Sequence, residues 1–177
     1  MPMQKIKRVN FPAVISEISG LQAGDCVSLN GIIYTARDQA HKRLVQAINK
    51  SASLPIDLKG AVLYYCGPTK TPKGKIIGSC GPTTSSRMDE YTPLLLEKGL
   101  LAMIGKGRRS PAVIDAIKKN KAVYFVTYAG CGALLSKYIK KAGLVAYKEL
   151  GPEAILKLEV EELPVIVAVD SKGKSIY

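Results

Sequence analysis

Apolar positions along the chain change their spacing repeatedly, and each change predicts a different element. In the segment 37–50 the apolar residues recur at Ala40, Leu44, Ala47 and Ile48. A spacing of three or four residues places these side chains on one face of a helix. The segment is therefore predicted to be an amphipathic helix with one buried face.

Short apolar or β-branched runs predict the strands. Alternating polar and apolar residues from Lys5 to Phe11 predict an edge strand, and Asn30-Gly31 predicts a bulge or turn within the run Cys26–Thr35. The dipeptide Ile76-Ile77 is an apolar run that can end a strand. The remaining runs cover residues 60–66, 100–104, 122–129, 144–147, 155–160 and 165–170.

Three further helices are predicted between these strands. One covers residues 88–98, one begins where the capping Ser110 precedes Pro111, and one runs from Leu134 to about Gly143. Strands and helices alternate, which predicts an α/β fold. Because the chain shows no internal repeat or composition boundary, residues 1–177 are expected to form a single domain.

Four hydroxyl residues and an arginine occupy the central turn at residues 78–89, which reads GSCGPTTSSRMD. Hydroxyl groups before a helix can cap its free N–H groups, and those N–H groups together with a guanidinium attract anions. The turn is therefore interpreted either as a capped strand-to-helix connection or as part of an anion-binding site.

Polar residues follow three of the predicted strands, and ligands of open α/β sheets bind at that edge. Arg37 and Asp38 follow the first of these strands, the segment Thr83-Thr84-Ser85-Ser86-Arg87 lies in the central turn, and Lys106 stands between two glycines after the third. Two guanidiniums and an ammonium would suit a small dianion. The alternative is that these are helix-start residues and a solvated loop charge. His41 lies one helical turn after Arg37 and is assigned either a proton-donating or orienting role or a simple polar contact.

Composition narrows the classes of protein without selecting one. The chain is 47% hydrophobic and 23% charged, as expected for a globular protein, and its N-terminal residues lack the apolar core of a signal peptide. No apolar run approaches membrane-spanning length, so a cytoplasmic protein without membrane contact is expected. The net charge of +12 permits an acidic partner, an anionic substrate or a nucleic acid.

The four cysteines show no metal-binding spacing. They are Cys26, Cys66, Cys80 and Cys131, with no CxxC pair and with one histidine in the chain. In a reducing compartment isolated thiols are most simply buried, small apolar residues. No metal ligand set is predicted for this chain.

Four motifs resemble the β subunit of the iron–sulfur-dependent class I fumarases. They are GIIYTARDQAHKRL (residues 31–44), YYCGPT (64–69), GSCGPTTSSRMD (78–89) and IGKG (104–107). The equivalent part of single-chain enzymes is their C-terminal domain, and the β subunit of L-tartrate dehydratase is similar. The resemblance covers nearly the whole chain and keeps the order and spacing of the motifs.

The resemblance implies a three-layer β/β/α swivelling domain and a partner. In that family a separate α subunit, in an expected α2β2 assembly, carries a 4Fe-4S cluster on its own three cysteines. One iron of the cluster is open and acts as a Lewis acid at the hydroxyl of the substrate. This chain would bind no cluster and would be inactive alone.

By motif match, the resemblance assigns roles to individual residues. Arg37, Arg87 and Lys106 would bind the carboxylates of a dicarboxylate substrate, and Thr83 would lie against the reacting carbon as the catalytic residue. Asp38, His41 and Thr84 form a second tier of candidates. A threonine hydroxyl is a poor base unless it is activated, so proton removal by Thr83 is a hypothesis.

The leading functional hypothesis is a hydro-lyase subunit that converts fumarate and water to L-malate, a reaction of the tricarboxylic acid cycle. The first alternative is the β subunit of L-tartrate dehydratase. A second alternative, of another class, is a basic nucleic-acid-binding module, which rests on charge alone. A third is a purely structural subunit whose polar residues do no chemistry.

Overall fold

Seven strands form one mixed sheet in this computed structural model, which describes residues 6–177. Helices connect the strands, as the alternating pattern of the sequence predicted, so the α/β assignment is confirmed. The strands are β1 (Lys7–Phe11), β2 (Cys26–Thr35), β3 (Val62–Tyr64), β4 (Ala102–Gly105), β5 (Val123–Val126), β6 (Ile139–Ala146) and β7 (Ile155–Val169).

Five α-helices accompany the sheet within the described residues. They are α1 (Ile15–Ile18), α2 (Asp38–Asn49), α3 (Thr92–Glu97), α4 (Pro111–Asn120) and α5 (Gly132–Leu135). Three 3-10 segments cover Ser85–Met88, Ser136–Tyr138 and Lys148–Glu153. Helix α4 begins as predicted, because Ser110 Oγ accepts the N–H of Val113 and Pro111 fills the first turn. None of the helices in residues 6–177 has the length and apolar content that crossing a membrane requires.

Strands β1 to β5 lie side by side and parallel, and β7 closes the sheet. The order is β1-β2-β3-β4-β5-β7-β6, and β7 pairs antiparallel with β2 as well as with β5. The ring β2-β3-β4-β5-β7 therefore returns to its first strand. Because β2, β3 and β4 are parallel, their carboxyl ends meet at one edge of the sheet, which we call the carboxyl edge.

Alternating side chains of the central strands pack into two separate apolar clusters. In β3, Val62 and Tyr64 belong to a cluster shared with β1, β2 and β7, whereas Leu63 belongs to a cluster shared with the helices. The helical cluster includes Leu44 of α2 and Val113 of α4. Burial of apolar side chains on both faces is typical of strands in the middle of an α/β domain.

Two predictions about β1 and β2 are confirmed. Strand β1 is an edge strand, although Lys5 lies outside the described residues. The pairing of β2 with β7 shifts its register between Leu29 and Gly31, where the sequence predicted an irregularity. Gly31 has a φ of +99°, and a Cβ there would lie 2.0 Å from the carbonyl oxygen of Phe11, so only glycine fits.

Three element predictions are wrong. Ile76 and Ile77 end no strand, because the long connection from Gly67 to Thr84 is irregular and punctuated by glycines and prolines. The helix predicted for residues 88–98 is shorter, since Ser85–Met88 forms a 3-10 segment and α3 begins at Thr92. The helix predicted to reach Gly143 ends near Tyr138, because the following residues pair with β7 as strand β6.

Candidate functional site

The carboxyl edge brings together the three strand ends that the sequence singled out. Arg37 lies between β2 and α2 and is the N-cap residue of that helix. The N–H of Thr83 donates to the carbonyl oxygen of Tyr65, just after β3, at 2.6 Å. Lys106 directly follows β4. The candidate residues therefore lie close to the carboxyl ends of three adjacent strands.

One carboxylate lies between the two candidate arginines. Asp38 Oδ1 accepts a hydrogen bond from Arg87 Nε at 2.8 Å, and Asp38 Oδ2 lies 3.7 Å from Arg37 Nε. The side chains of Arg37 and Asp38 are 22% exposed, and that of Arg87 is 51% exposed. Asp38 thus orients both guanidiniums, while Arg87 keeps access to solvent.

A second carboxylate holds Arg37 from the far end of the chain. Glu153 Oε1 lies 3.6 Å from Arg37 Nη2, and Glu153 Oε2 accepts the backbone N–H of Gln39 at 2.9 Å in the first turn of α2. Glu153 was not among the residues predicted from the sequence. No local signal could have found it, because it lies 114 positions after Gln39.

Arg37 lies directly against the loop that follows β3. A Cβ at Gly67 would lie 2.8 Å from Arg37 Nη1 and 3.1 Å from the carbonyl oxygen of Pro152, so glycine is needed for this approach. Arg37 Nε and Asp38 Oδ2 are buried and lack a hydrogen-bond partner among the described residues. These two atoms lie 3.7 Å from each other, so their contact is an ion pair without a hydrogen bond.

The central turn is joined to the Lys106 loop through its backbone. Thr84 forms an isolated bridge with Lys106, and the N–H of Ser85 donates to the Lys106 carbonyl at 3.0 Å. Thr83 is half-buried and Thr84 is exposed. The expected capping by hydroxyls is not found, because Thr84, the N-cap of the 3-10 segment, makes no side-chain capping bond. The Lys106 ammonium forms no ion pair with residues 6–177.

His41 lies beneath the arginines rather than beside them at the surface. Its ring is fully buried, in edge contact with Tyr65 at 5.1 Å between ring centroids. Nδ1 lies 2.9 Å from the Arg37 carbonyl oxygen and therefore donates to it, which leaves Nε2 unprotonated and without a partner among the described residues. Burial lowers the pKa of His41 to about 4, so the ring is neutral at pH 7.

Two cysteines meet behind the candidate site. Cys66 and Cys80 are buried, and their sulfur atoms lie 2.8 Å apart as a thiol–thiol hydrogen bond. That bond and burial raise the pKa of the Cys66 thiol, so it stays protonated. Cys131 departs from the expectation of burial, since it is exposed.

Residues 6–177 do not fit an iron–sulfur cluster. Within residues 6–177 no group of three or more His, Cys, Asp or Glu side chains could hold a metal ion. Cys66 and Cys80 bond to each other, and no third thiol joins them in the described part of the chain. A cluster of this type needs several thiolate ligands at one place.

The carboxyl edge is suited to binding a small anion with two negative groups. Arg37 and Arg87 supply two guanidiniums held by carboxylates, and Lys106 supplies an ammonium in the segment that pairs with Thr84, the residue after Thr83. Guanidiniums bind carboxylates through two parallel hydrogen bonds, which fixes the orientation of the ligand as well as its affinity.

Comparison with known proteins gives this geometry a context. Residues 2–177 match the family described as Fumarase C-terminus. The chain is 40% identical over 166 residues to the aerobic class I fumarate hydratase of Salmonella typhimurium, covering 93% of this chain and 29% of that protein. Fumarate hydratase 2 of Leishmania major gives the same identity and coverage.

A third relative is closer to this chain in length. The putative L(+)-tartrate dehydratase subunit beta of Methanocaldococcus jannaschii is 38% identical over 167 residues, covering 91% of this chain and 86% of that protein. The chain therefore spans less than a third of the two fumarate hydratases but most of this subunit. With its whole described fold inside the matched region, the chain belongs to the fumarase C-terminus family.

Proposed function

We propose that this chain is the substrate-binding β subunit of a class I hydro-lyase that interconverts fumarate and L-malate. The observation that carries the proposal is the pair of arginines held by Asp38 at the carboxyl edge, next to Thr83 and Lys106. A fumarate or malate dianion needs two cationic groups in fixed positions, and the two arginines held by Asp38 support this role for the edge.

Arg37, Arg87 and Lys106 act as the carboxylate-binding residues. In the dehydration of L-malate, a proton leaves the carbon next to one carboxylate, and the negative charge spreads into that carboxylate. Fixed cations lower the energy of this charge because they are oriented before it develops. Thr83 is assigned the position beside the reacting carbon, where its hydroxyl would take that proton as its own proton passes to a carboxylate of the partner.

Two of the second-tier residues act through the arginines, and the third contacts another molecule directly. Asp38 orients both guanidiniums, and the neutral, buried His41 supports the Arg37 backbone through its Nδ1–H. Thr84 is exposed beside Thr83 and is assigned a contact with the substrate or the partner. None of these three roles requires a charged histidine.

A cluster-bearing α subunit is the partner we propose, in an α2β2 assembly. Class I fumarate hydratases are iron–sulfur enzymes, and this chain lacks the ligand set for a cluster within residues 6–177. The length match to a relative named as a subunit supports a two-chain enzyme. The half-exposed Arg87 then faces substrate held between the two chains.

The three-layer β/β/α swivelling architecture is part of the same proposal. The closure of the sheet through β7 and the two apolar clusters support it, because β1, β2 and β7 share one cluster with the central strands and the helices share the other. Such a unit presents its carboxyl edge as a rigid surface to a partner.

A tartrate dehydratase β subunit is the second candidate. The observation that favours it is the relative named as such a subunit, of which this chain covers 86%. L-Tartrate differs from L-malate by one hydroxyl group, and the same cations would bind its carboxylates.

Anaerobic co-expression of this chain with its cluster-bearing partner distinguishes the two candidates. Fumarate is followed by its ultraviolet absorbance with L-malate as substrate, and oxaloacetate by NADH-coupled reduction with L-tartrate as substrate. We expect L-malate turnover that requires both chains. Turnover of L-tartrate alone would move the assignment to the dehydratase, and no turnover of either by an assembled complex would contradict both.

A further inference from the structure

A buried arginine that the sequence analysis missed lies beneath the carboxyl edge. The side chain of Arg109 has no exposed surface. Its Nε donates to Asp89 Oδ1 at 2.7 Å, and its Nη2 donates to Thr92 Oγ1 at 2.8 Å. The guanidinium also lies over the rings of Tyr65 and Tyr124, at 5.3 and 4.9 Å from their centroids.

This ion pair joins the two segments that carry candidate substrate-binding cations. Asp89 follows Arg87 by two residues, and Arg109 follows Lys106 by three. Asp89 Oδ2 also accepts the backbone N–H of Ser110 at 2.7 Å. The Asp89 carboxylate thus accepts hydrogen bonds from the Arg109 side chain and from the backbone N–H of Ser110, both in the segment that follows Lys106.

Thr92 extends the connection back to the arginine turn. Its hydroxyl accepts from Arg109 and donates to the carbonyl oxygen of Met88 at 2.8 Å, one residue after Arg87. The Arg109 guanidinium therefore holds the turn at two points, through Asp89 and through Thr92.

Ser85 fixes the register of the same two segments closer to the surface. Its Oγ accepts the N–H of Lys106 at 3.1 Å and lies 2.8 Å from the hydroxyl of Tyr124, which also lies 2.8 Å from the Gly107 carbonyl. A Cβ at Gly105 would lie 2.0 Å from this Oγ, so the segments touch without an intervening side chain.

We propose that Arg109 and Asp89 are positioning residues that set the placement of Arg87 relative to Lys106, and so determine the preference for a ligand with two carboxylates. This inference rests on the proposed function. A buried ion pair is a costly way to stabilise a fold, since apolar residues of similar volume often do so better. It does fix the placement of the two segments relative to each other, because Arg109 and Asp89 lose most of their hydrogen bonds when either segment shifts.

The test compares inhibitors of the reconstituted two-chain complex with one and two carboxylates. Succinate engages both cationic positions at once, and propionate engages one. For Arg109→Lys we expect the ratio of the propionate Ki to the succinate Ki to fall at least about tenfold, with the propionate Ki within about threefold of wild type. Lysine keeps the charge but cannot hold Asp89 and Thr92 together.

One further variant and one control complete the test. Asp89→Asn keeps the side-chain shape and should lower the same ratio, and a competitive Ki does not depend on how much of the enzyme is folded. Lys119→Met is the matched control, because it breaks the exposed ion pair between Lys119 of α4 and Glu97 of α3. It should leave the Ki ratio unchanged.

The outcomes separate this inference from the proposed function. An active wild-type complex whose inhibitor ratio is unchanged in both Arg109→Lys and Asp89→Asn overturns the positioning role and leaves a purely structural pair. A wild-type complex that assembles with its cluster but turns over no dicarboxylate overturns the proposed function and this inference with it.

Discussion

At the scale of single residues, the candidate site depends on guanidiniums held by carboxylates. Asp38 contacts both Arg37 and Arg87, and Glu153 contacts Arg37 from the other side. An oriented guanidinium loses less rotamer freedom when a ligand binds than a freely moving one does. Under the proposed function, the carboxylates therefore hold the arginines in position before the substrate binds.

Replacing either arginine by lysine tests whether the planar guanidinium, with its two parallel hydrogen bonds, is needed. Arg37→Lys or Arg87→Lys removes about one charge-assisted hydrogen bond, worth roughly 1.5–3 kcal/mol, which corresponds to a loss of roughly 10- to 150-fold in kcat/KM for L-malate. Steady-state kinetics of the two-chain complex measures it. Arg43→Lys is the control, because Arg43 contacts Glu149 and Tyr147 away from the edge. Equal activity of the site and control variants would refute the role.

Gly67 tests the close approach of the loop to Arg37. In Gly67→Ala the new Cβ would lie 2.8 Å from Arg37 Nη1 and 3.0 Å from its Cδ, so the side chain must move. A displacement of this kind should lower kcat/KM by roughly 10- to 100-fold. Gly20→Ala is the matched control, since nothing lies within 4 Å of its Cβ position. If both variants keep wild-type kinetics, Arg37 is not held where the substrate binds.

At the scale of elements, local patterns predicted what local forces decide. The apolar spacing of α2 and the Ser110-Pro111 start of α4 were sufficient to predict these two helices, because a buried face determines the first and a cap determines the start of the second. Strand β6 was misassigned because its residues are almost all exposed and acquire their conformation from pairing with β7. Such tertiary contacts override local preference.

Strand β7 shows a second limit of local patterns. The sequence suggested two separate runs, at residues 155–160 and 165–170, whereas Ile155–Val169 is one strand of 15 residues. Pro164 would be expected to interrupt it, yet Pro164 lies opposite Ser28 in the pairing with β2. The strand continues because β2 pairs with it from Lys157 to Ile166, across both runs, while β6 pairs with its first half and β5 with its end.

The candidate site was predictable only where it follows strand ends. Arg37, Thr83, Arg87 and Lys106 stand after predicted strands or in a glycine-rich turn, so the topology of parallel strands placed them together. Glu153 and Arg109 gave no such signal. Their partners lie in distant segments, and a long-range ion pair leaves no periodic trace in a sequence.

Helix α2 carries a pH-dependent contribution to stability through His41. Its pKa is about 4 when folded, against 6.5 in an unfolded chain, because burial disfavours the charged ring. Between those pH values the unfolded chain binds a proton that the folded chain does not. The free energy of unfolding should therefore fall as the pH decreases from 6.5 to 4, by roughly 3 kcal/mol in total from this group.

Urea unfolding of the wild type and of His41→Gln measures this contribution. Each protein is titrated with urea at pH 7 and at pH 4.5. The free energy of unfolding should decrease between pH 7 and pH 4.5 in both proteins, and the decrease should be smaller in the variant by roughly 2–3 kcal/mol. Carboxylates that titrate in the same range are common to both proteins and cancel in the comparison. Equal drops would mean that His41 is protonated as easily in the folded chain as in the unfolded one.

At the scale of the whole molecule, the chain corresponds to one part of its longer relatives. It covers 29% of the Salmonella and Leishmania fumarate hydratases and 86% of the Methanocaldococcus subunit. Its net charge of +12 suits an anionic substrate or an acidic partner. Under the proposed function, the carboxyl edge supplies the cations and the partner supplies the cluster.

The most direct measurement is L-malate dehydration by the anaerobic, cluster-reconstituted complex, followed through fumarate absorbance. Three samples are compared: the wild-type complex, the partner without this chain, and the complex carrying Arg37→Ala and Arg87→Ala together. The account predicts turnover by the first sample alone, with assembly and the cluster spectrum retained in the third. A double variant that turns over L-malate as fast as the wild type would contradict the claim that this chain binds the substrate.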